Sequence, residues 1–234
     1  SRQGTRIEGC STVVVTTCRP GPLRAIPLMA RLFASVAPLW KTTPSGRPPT
    51  RFRMSEVARE MFADRITADR MEQFLADFTA YRFDECLGAW QPYDVLLKNS
   101  IRRLCRKWKL QYLDAEAQQY YDGVSTWGPH EDVPAGLAKV AKEIPLVILS
   151  NAMDSEIQKN VALLGAPFHR VYTAQQAQAY KPRLQAFEFM IDSLGCNPED
   201  LLHVSSSLRY DLMSADDMGI VNKVFVNRGH GPGN

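Results

Sequence analysis

The chain has 234 residues with a formal net charge of +3, and 45% of its residues are hydrophobic. This apolar share is sufficient for a packed core, and the length allows one domain or a core with an insertion. The small net charge gives no argument for nucleic-acid binding, and no apolar run reaches the ~20 residues that span a bilayer. The five cysteines form no CxxC pair, so neither a disulfide framework nor a zinc site is indicated. A reducing, cytoplasmic location is the expectation.

Residues 1–51 differ in composition from the rest of the chain. Up to residue 53 the sequence holds nine Arg or Lys, seven Pro and one acidic residue, Glu8. Such a composition is typical of an organellar transit peptide, and equally of a leader unrelated to the fold that follows, such as a stretch read in another frame. We favour the unrelated leader. Because the chain starts with Ser and ends in the glycine-rich RGHGPGN, we expect a piece cut at both ends.

Residues 52–126 carry the pattern of amphipathic helices. Leu97, Ile101 and Leu104 lie at i, i+4 and i+7, and a 3.6-residue period puts them on one face. The opposite face of this helix is rich in Lys and Arg, a pattern that is usually a solvated surface. Helices are predicted near four stretches, namely 52–62, 67–81, 97–108 and 114–121. We expect them to form one helical domain, and residues 127–234 to form a second domain of another class.

The second domain is organised around the stretch PLVILSNAM, Pro145–Met153. Leu146–Leu149 is an unbroken apolar run, and a strand without polar alternation is typical of a parallel sheet that is covered on both faces. Helical patterns at 134–142 and 154–164 flank this run, and Gly165 fits the C-terminus of a helix. Helix, buried strand and helix form the repeating unit of an α/β fold.

Two further units repeat this pattern downstream. Strands are predicted at 170–173, 201–204 and 223–227, with helices at 184–194 and 213–218. Polar side chains follow the strands in three clusters: Ser150 with Asn151, Lys181, and Ser206 with Ser207 and Asp211. The carboxyl ends of parallel strands share one edge of a sheet, where ligands gather. We therefore expect these side chains to form one site.

These motifs resemble those of the haloacid dehalogenase superfamily and, more narrowly, those of the type II haloacid dehalogenases. LSNA holds the Ser of the second motif, Ser150, and YKP holds the Lys of the third, Lys181. HVSSSLRYD holds the second acid of the fourth motif, Asp211, with Ser206 in place of the first acid. In the superfamily phosphatases the acidic pair holds magnesium, whereas the dehalogenases commonly show VSS there. The resemblance extends over about residues 52–230.

The resemblance implies an α/β fold with a Rossmannoid parallel-sheet core at 127–234 and a helical cap at 52–126. The implied reaction is the hydrolytic dehalogenation of (S)-2-haloalkanoic acids to (R)-2-hydroxy acids, without a cofactor or a metal. The implied partner is a small halogenated carboxylic acid. Nucleic acid and membrane are not expected as partners, and a homodimer stays open.

The resemblance also implies roles for the site residues. The catalytic residues are expected to be Lys181, Asp211 and Ser206. The substrate-binding residues are expected to be Ser150, Asn151, Ser207 and Arg82. Lys181 would neutralise the clustered carboxylates, and Arg82 from the cap would receive the halide. Taken singly, each residue has an ordinary reading as a turn residue, helix cap or surface ion-pair partner, and only their occurrence at successive strand ends favours a site.

The nucleophile of the resembled family is an Asp at the end of the first strand, which should lie shortly before Phe52. The sequence there is SGRPPTR, without an acid. The strand-like run further upstream is Thr12–Thr17, and Cys18 follows it; such a thiol is more often buried or incidental than catalytic.

Three functions therefore stay open. They are a dehalogenase, a magnesium phosphatase of the same superfamily, and a catalytically silent homologue that binds a small anion or a protein partner. The Ser at position 206 argues against the phosphatase, and the missing upstream Asp favours the silent homologue.

Overall fold

The computed structural model describes residues 14–18, 53–124, 128–130 and 132–227. Over these residues the protein consists of a helical part followed by a five-stranded sheet with its own helices, so the predicted α/β class is confirmed. Most of the predicted leader and the predicted domain junction at Trp127 lie outside the described residues. Within the described part of the chain, none of the helices combines the length and apolarity that crossing a bilayer requires.

The helical part contains α1 (Arg53–Phe62), α2 (Ala68–Leu87), α3 (Tyr93–Trp108) and α4 (Asp114–Val124). The sheet is formed by β1 (Val14–Cys18), β2 (Val147–Ser150), β3 (Arg170–Thr173), β4 (Leu201–Ser205) and β5 (Asn222–Phe225). The helices around it are α5 (Val133–Val140), α6 (Asp154–Leu163), α7 (Ala174–Ala177), α8 (Leu184–Leu194) and α9 (Met213–Asp217). Each predicted helix and strand downstream of residue 52 is therefore present, with ends that differ by a few residues.

One apolar cluster holds the helical part together. The predicted face of α3 is buried, and Leu97 and Leu104 have no exposed surface. Aromatic rings fill the space between the helices: Phe74 lies 4.8 Å from the ring of Phe62 and 5.3 Å, edge-on, from that of Trp108. Tilted and edge-on contacts of this kind add to the free energy gained from burial alone. The cap is therefore a packed body, and its interior comes from the apolar period read in the sequence.

Four strands of the sheet run parallel, and their carboxyl ends lie at one edge. The strand order is β3-β2-β1-β4-β5, with β2 parallel to β3 and β4 parallel to β5. Ser150, the last residue of β2, pairs with Thr173, and Ser205, the last residue of β4, pairs with Phe225. We call this the site edge of the sheet. The loops that follow β2 and β4 start at this edge.

The central strand β1 runs in the opposite direction to its two neighbours. Val14 lies opposite Leu149 near the site edge, and Cys18 lies opposite Leu201, the first residue of β4. A central strand can satisfy its backbone hydrogen bonds in either direction, so this reversal keeps the sheet intact. It places Cys18 at the edge opposite to the site.

The apolar run Leu146–Leu149, which was predicted to be buried on both faces of the sheet, is buried on both faces. Leu146 and Ile148 belong to one apolar cluster, whereas Val147 and Leu149 belong to another on the other side of the sheet. All four side chains are at most 1% exposed. Alternate side chains of a strand point to opposite faces, so an unbroken apolar run requires cover on both sides. Helices provide this cover and fix the position of the β2 carboxyl end.

Hydrogen bonds join the cap to the core close to the site edge. The Tyr180 hydroxyl donates to the Gln91 carbonyl of the cap at 2.8 Å. The Tyr121 hydroxyl of α4 donates to the Glu156 carboxylate, whose other oxygen accepts from the Met153 N–H at the start of α6. Burial and this carboxylate raise the pKa of Tyr121. Because α6 directly follows the end of β2, these contacts join the helical part to the core close to the site edge.

We predict that Tyr121→Phe lowers the free energy of unfolding by about 1–2 kcal/mol, because it removes a hydrogen bond to a buried carboxylate. The matched control is Tyr112→Phe, which removes an exposed hydroxyl that donates to Asp114 two residues away, at 2.9 Å. The control should change stability by less than about 0.5 kcal/mol. Urea unfolding at pH 7 measures both variants. Equal losses would show that Tyr121 does not link the cap to the core.

Candidate active site at the carboxyl ends of β2 and β4

Lys181 lies at the centre of the candidate site. Its side chain is 2% exposed, and its ammonium group lies 2.7 Å from the Asp211 Oδ1. The same group donates to the Leu149 carbonyl at 2.8 Å, close to the carboxyl end of β2. Lysine is almost never buried without a partner, because removing an ammonium group from water is costly. The carboxylate and the carbonyl compensate this cost, so the buried ammonium group has a partner on two sides.

Asp211 reaches the ammonium group because the chain after β4 forms a short π-helix, Leu208–Leu212. A hydrogen bond of 3.2 Å from the Leu212 N–H to the Ser207 carbonyl closes this wide turn. Single π turns are frequent at functional sites. The other carboxylate oxygen, Oδ2, accepts from the Ser205 hydroxyl at 2.8 Å. Asp211 is fully buried, and each of its oxygens has a partner.

The three consecutive serines after Val204 have different contacts. The Ser205 hydroxyl, besides donating to Asp211, accepts from the Ser207 N–H at 3.0 Å. The Ser207 hydroxyl accepts from the Tyr210 N–H at 3.0 Å and so caps the start of the π-helix. Ser206 is half-buried. Ser205, which was not among the predicted site residues, therefore contacts Asp211. The catalytic role of Ser206 and the substrate-binding role of Ser207 stay predictions.

The end of β2 places Ser150 and Asn151 at the site edge. Both are buried, at 2% and 3% exposure. The side-chain amide of Asn151 donates to the Lys181 carbonyl at 2.9 Å and accepts from the Lys181 N–H at 2.7 Å. Asn151, Lys181 and Asp211 therefore form one connected group, and Ser150 is adjacent to Asn151 at the end of β2.

His203, in the middle of β4, lies beside this group. It is fully buried, its Nε2 is 3.9 Å from the Asp211 Oδ1, and its ring is 5.5 Å from that of Phe187. Burial lowers its pKa to about 4, because the imidazolium would lose its hydration; Asp211 opposes this shift, and Lys181 adds to it. At neutral pH His203 is an uncharged neighbour of the ion pair.

Arg82 lies in α2 of the cap with 2% of its surface exposed. Its guanidinium is 5.1 Å from the centre of the Phe78 ring, an arrangement that partly compensates a buried cation. This contact lies within the cap. The assignment of Arg82 as the group that receives a halide stays a prediction.

Sequence reasoning missed two groups of the site, Ser205 and the Leu149 carbonyl. The position of Ser205 as the last residue of β4 is a usable signal, but three adjacent serines cannot be distinguished without the course of the loop. A main-chain acceptor leaves no signal in residue type. Among the described residues, no cluster of three or more His, Cys, Asp or Glu side chains is arranged to hold a metal ion.

The protein belongs to the family of haloacid dehalogenase-like hydrolases. The model of that family matches residues 60–224, which is more than half of the chain; the match begins within α1 and ends within β5. It contains the Ser150, Lys181 and Asp211 positions on which the resemblance was based. A comparison with curated proteins gives no match.

Solved dehalogenase structures share this fold at low sequence identity. A dehalogenase with an intermediate complex is 22% identical over 76% of this chain and 80% of its own, with a TM-score of 0.63. An L-2-haloacid dehalogenase is 18% identical over 77% and 82% of the two chains, also at 0.63. The L-2-haloacid dehalogenase from Xanthobacter autotrophicus with chloropropionic acid covalently bound is 20% identical over 71% and 69%, at 0.58. These likenesses establish the fold.

We predict that Lys181→Met or Asp211→Asn alone lowers the free energy of unfolding by about 3–5 kcal/mol, because either change leaves a buried charge without its counter-ion. The double variant Lys181→Met/Asp211→Asn should lose less than the sum of the two single changes. Urea unfolding measures all three. The control is Lys107→Met in the cap, whose ammonium lies at the same 2.7 Å from a carboxylate but is half exposed, and it should cost far less. Additive losses in the double variant would contradict a coupled pair.

We predict that His203 contributes a pH dependence to stability between pH 6.5 and about 4. Its pKa is lower in the folded protein than in the unfolded chain, so the unfolded chain binds the extra proton first as the pH falls. The stability due to neutral His203 is complete above pH 6.5 and decreases toward pH 4, by at most about 1.4 kcal/mol per pH unit. His203→Gln should flatten this slope in urea titrations. An unchanged slope in His203→Gln would contradict the prediction.

Proposed function

We propose that the site binds (S)-2-haloalkanoic acids and that its reaction class is their hydrolytic dehalogenation to (R)-2-hydroxy acids. The single observation that carries this proposal is the buried Lys181–Asp211 ion pair at the site edge, supported on one side by Ser205 and on the other by the end of β2. Such a group presents fixed positive and hydrogen-bonding partners in a place from which water is largely excluded. A small carboxylic acid is the kind of ligand that it can hold.

The chemistry follows from the substrate. In the proposed reaction, a carboxylate oxygen forms a bond to the carbon that bears the halogen, and the halide leaves with the bonding electron pair. Water then attacks the carbonyl carbon of the resulting ester and releases the hydroxy acid, with one inversion at the substrate carbon. Lys181 would stabilise the attacking carboxylate in its ionised form, and the Ser150 hydroxyl would donate to the substrate carboxylate.

Asp211 is unsuited to be the attacking carboxylate. One of its oxygens is 2.7 Å from the Lys181 ammonium, the other accepts from Ser205, and the side chain has no exposed surface. Attack would require it to leave both partners. Within the described residues, the strand end between β2 and β4 belongs to Val14, since β1 runs antiparallel. We therefore propose that this chain turns over its substrate only slightly above background.

The same residues bear on two alternative functions. A magnesium phosphatase needs carboxylate ligands for a hard cation, and Ser206 stands where the family has the first acid of that pair. Binding of a small anion without turnover is favoured by the direction of β1, because Val14 offers no nucleophile. We therefore keep this anion-binding function as the second candidate.

The proposal predicts that the protein binds (S)-2-chloropropanoate in calorimetry and releases chloride at a rate close to the uncatalysed one. A chimera in which the Asp-bearing first strand of an L-2-haloacid dehalogenase replaces residues 1–51 should release chloride with inversion. The expected gain is on the order of a million-fold, the size of the loss when a nucleophile is removed from a concerted site.

The chimera with Lys181→Ala is the control and should lose this activity. Addition of a chelator should leave the chloride release of the active chimera unchanged. Fast chloride release by the unaltered chain would contradict the argument about the nucleophile. Failure of both proteins to bind or convert the haloacid would overturn the substrate assignment.

A further inference from the structure

Asn151 contacts Lys181 through two hydrogen bonds that use both ends of its side-chain amide. Its Oδ1 accepts from the Lys181 N–H at 2.7 Å, and its Nδ2 donates to the Lys181 carbonyl at 2.9 Å. The two residues are 30 positions apart in the chain, and both are buried, at 3% and 2% exposure. The amide therefore acts on the backbone of Lys181 as a neighbouring peptide strand would.

Both the backbone and the tip of the side chain of Lys181 are held at the end of β2. The backbone contacts the side chain of Asn151. The ammonium group donates at 2.8 Å to the carbonyl of Leu149, which lies two residues before Asn151. The following residue is held as well, because the Pro182 carbonyl accepts from the Ser214 hydroxyl at 2.7 Å. A long, flexible side chain has many rotamers, and these contacts at its root and tip select one of them.

We propose that Asn151 is a positioning residue, which fixes the backbone of Lys181 so that its ammonium group meets Asp211. This role is distinct from the substrate binding that the sequence analysis assigned to Asn151. Residues that hold a functional group in place through hydrogen bonds commonly decide how well that group works. The identity of the substrate rests on the proposed function, whereas the contact between Asn151 and Lys181 does not.

The two roles differ in ligand-free protein. A substrate donor that is removed weakens ligand binding but leaves Lys181 as it was. A positioning residue that is removed changes Lys181 before any ligand is added. Asn151→Ala removes both hydrogen bonds, and Ser150→Ala is the matched control, because Ser150 is the adjacent residue, is equally buried and lies at the same strand end.

The experiment follows Lys181 by NMR in the full-length, ligand-free protein. In Asn151→Ala we expect the Lys181 amide hydrogen to exchange about ten-fold faster, the loss that corresponds to one hydrogen bond. We also expect the ammonium signal of Lys181 to shift or broaden, because its contact with Asp211 is no longer held. Ser150→Ala should leave both signals within experimental error of the parent.

A second variant covers the case in which Asn151→Ala does not fold. Asn151→Ser is uncharged and keeps a polar group at this position, but its side chain is too short to contact both the N–H and the carbonyl of Lys181. It should speed the Lys181 amide exchange and change the ammonium signal. Unchanged signals of Lys181 in both Asn151 variants, together with weaker binding of (S)-2-chloropropanoate, would overturn the positioning role. Changed signals in a protein that binds no haloacid would support it and reject only the proposed substrate.

Discussion

The buried ion pair between Lys181 and Asp211 is the constraint on which the site depends. Two charges without contact to solvent are stable in the interior only if they face each other and if their remaining hydrogen-bonding capacity is used. The chain meets this requirement from three directions: Ser205 binds the carboxylate, the Leu149 carbonyl binds the ammonium group, and Asn151 binds the backbone beside it. The ion pair therefore constrains the paths of the loops after β2 and β4.

The sheet supplies the frame for these contacts. Alternate residues of β2 are buried in separate clusters on its two faces, so the strand cannot slide without exposing apolar surface on one side. Its carboxyl end is therefore fixed, and so is the carbonyl that receives Lys181. The cap is attached close to the same edge by the hydroxyls of Tyr121 and Tyr180. The strands thus position the polar groups, and the helical part is joined to the core beside them.

The direction of β1 determines which of its residues lies near the site edge, but it does not disrupt the pairing of the sheet. An antiparallel central strand satisfies the same backbone hydrogen bonds as a parallel one, so the sheet forms and the ion pair assembles beside it. The first residue of β1, Val14, nevertheless lies near the site edge, where a parallel strand would place its last residue. This reversal is the observation behind our proposal that the chain binds its substrate without efficient turnover.

The sequence by itself determined the helices and strands downstream of residue 52, because their apolar periods are strong, and it identified Lys181 and Asp211 through their places after strands. Only the tertiary structure decided the direction of β1, since a short run of Val and Thr pairs equally well either way. It also decided that Ser205 contacts Asp211 and that Asn151 faces Lys181. These choices depend on a π turn and on main-chain partners 30 residues away, which residue type does not encode.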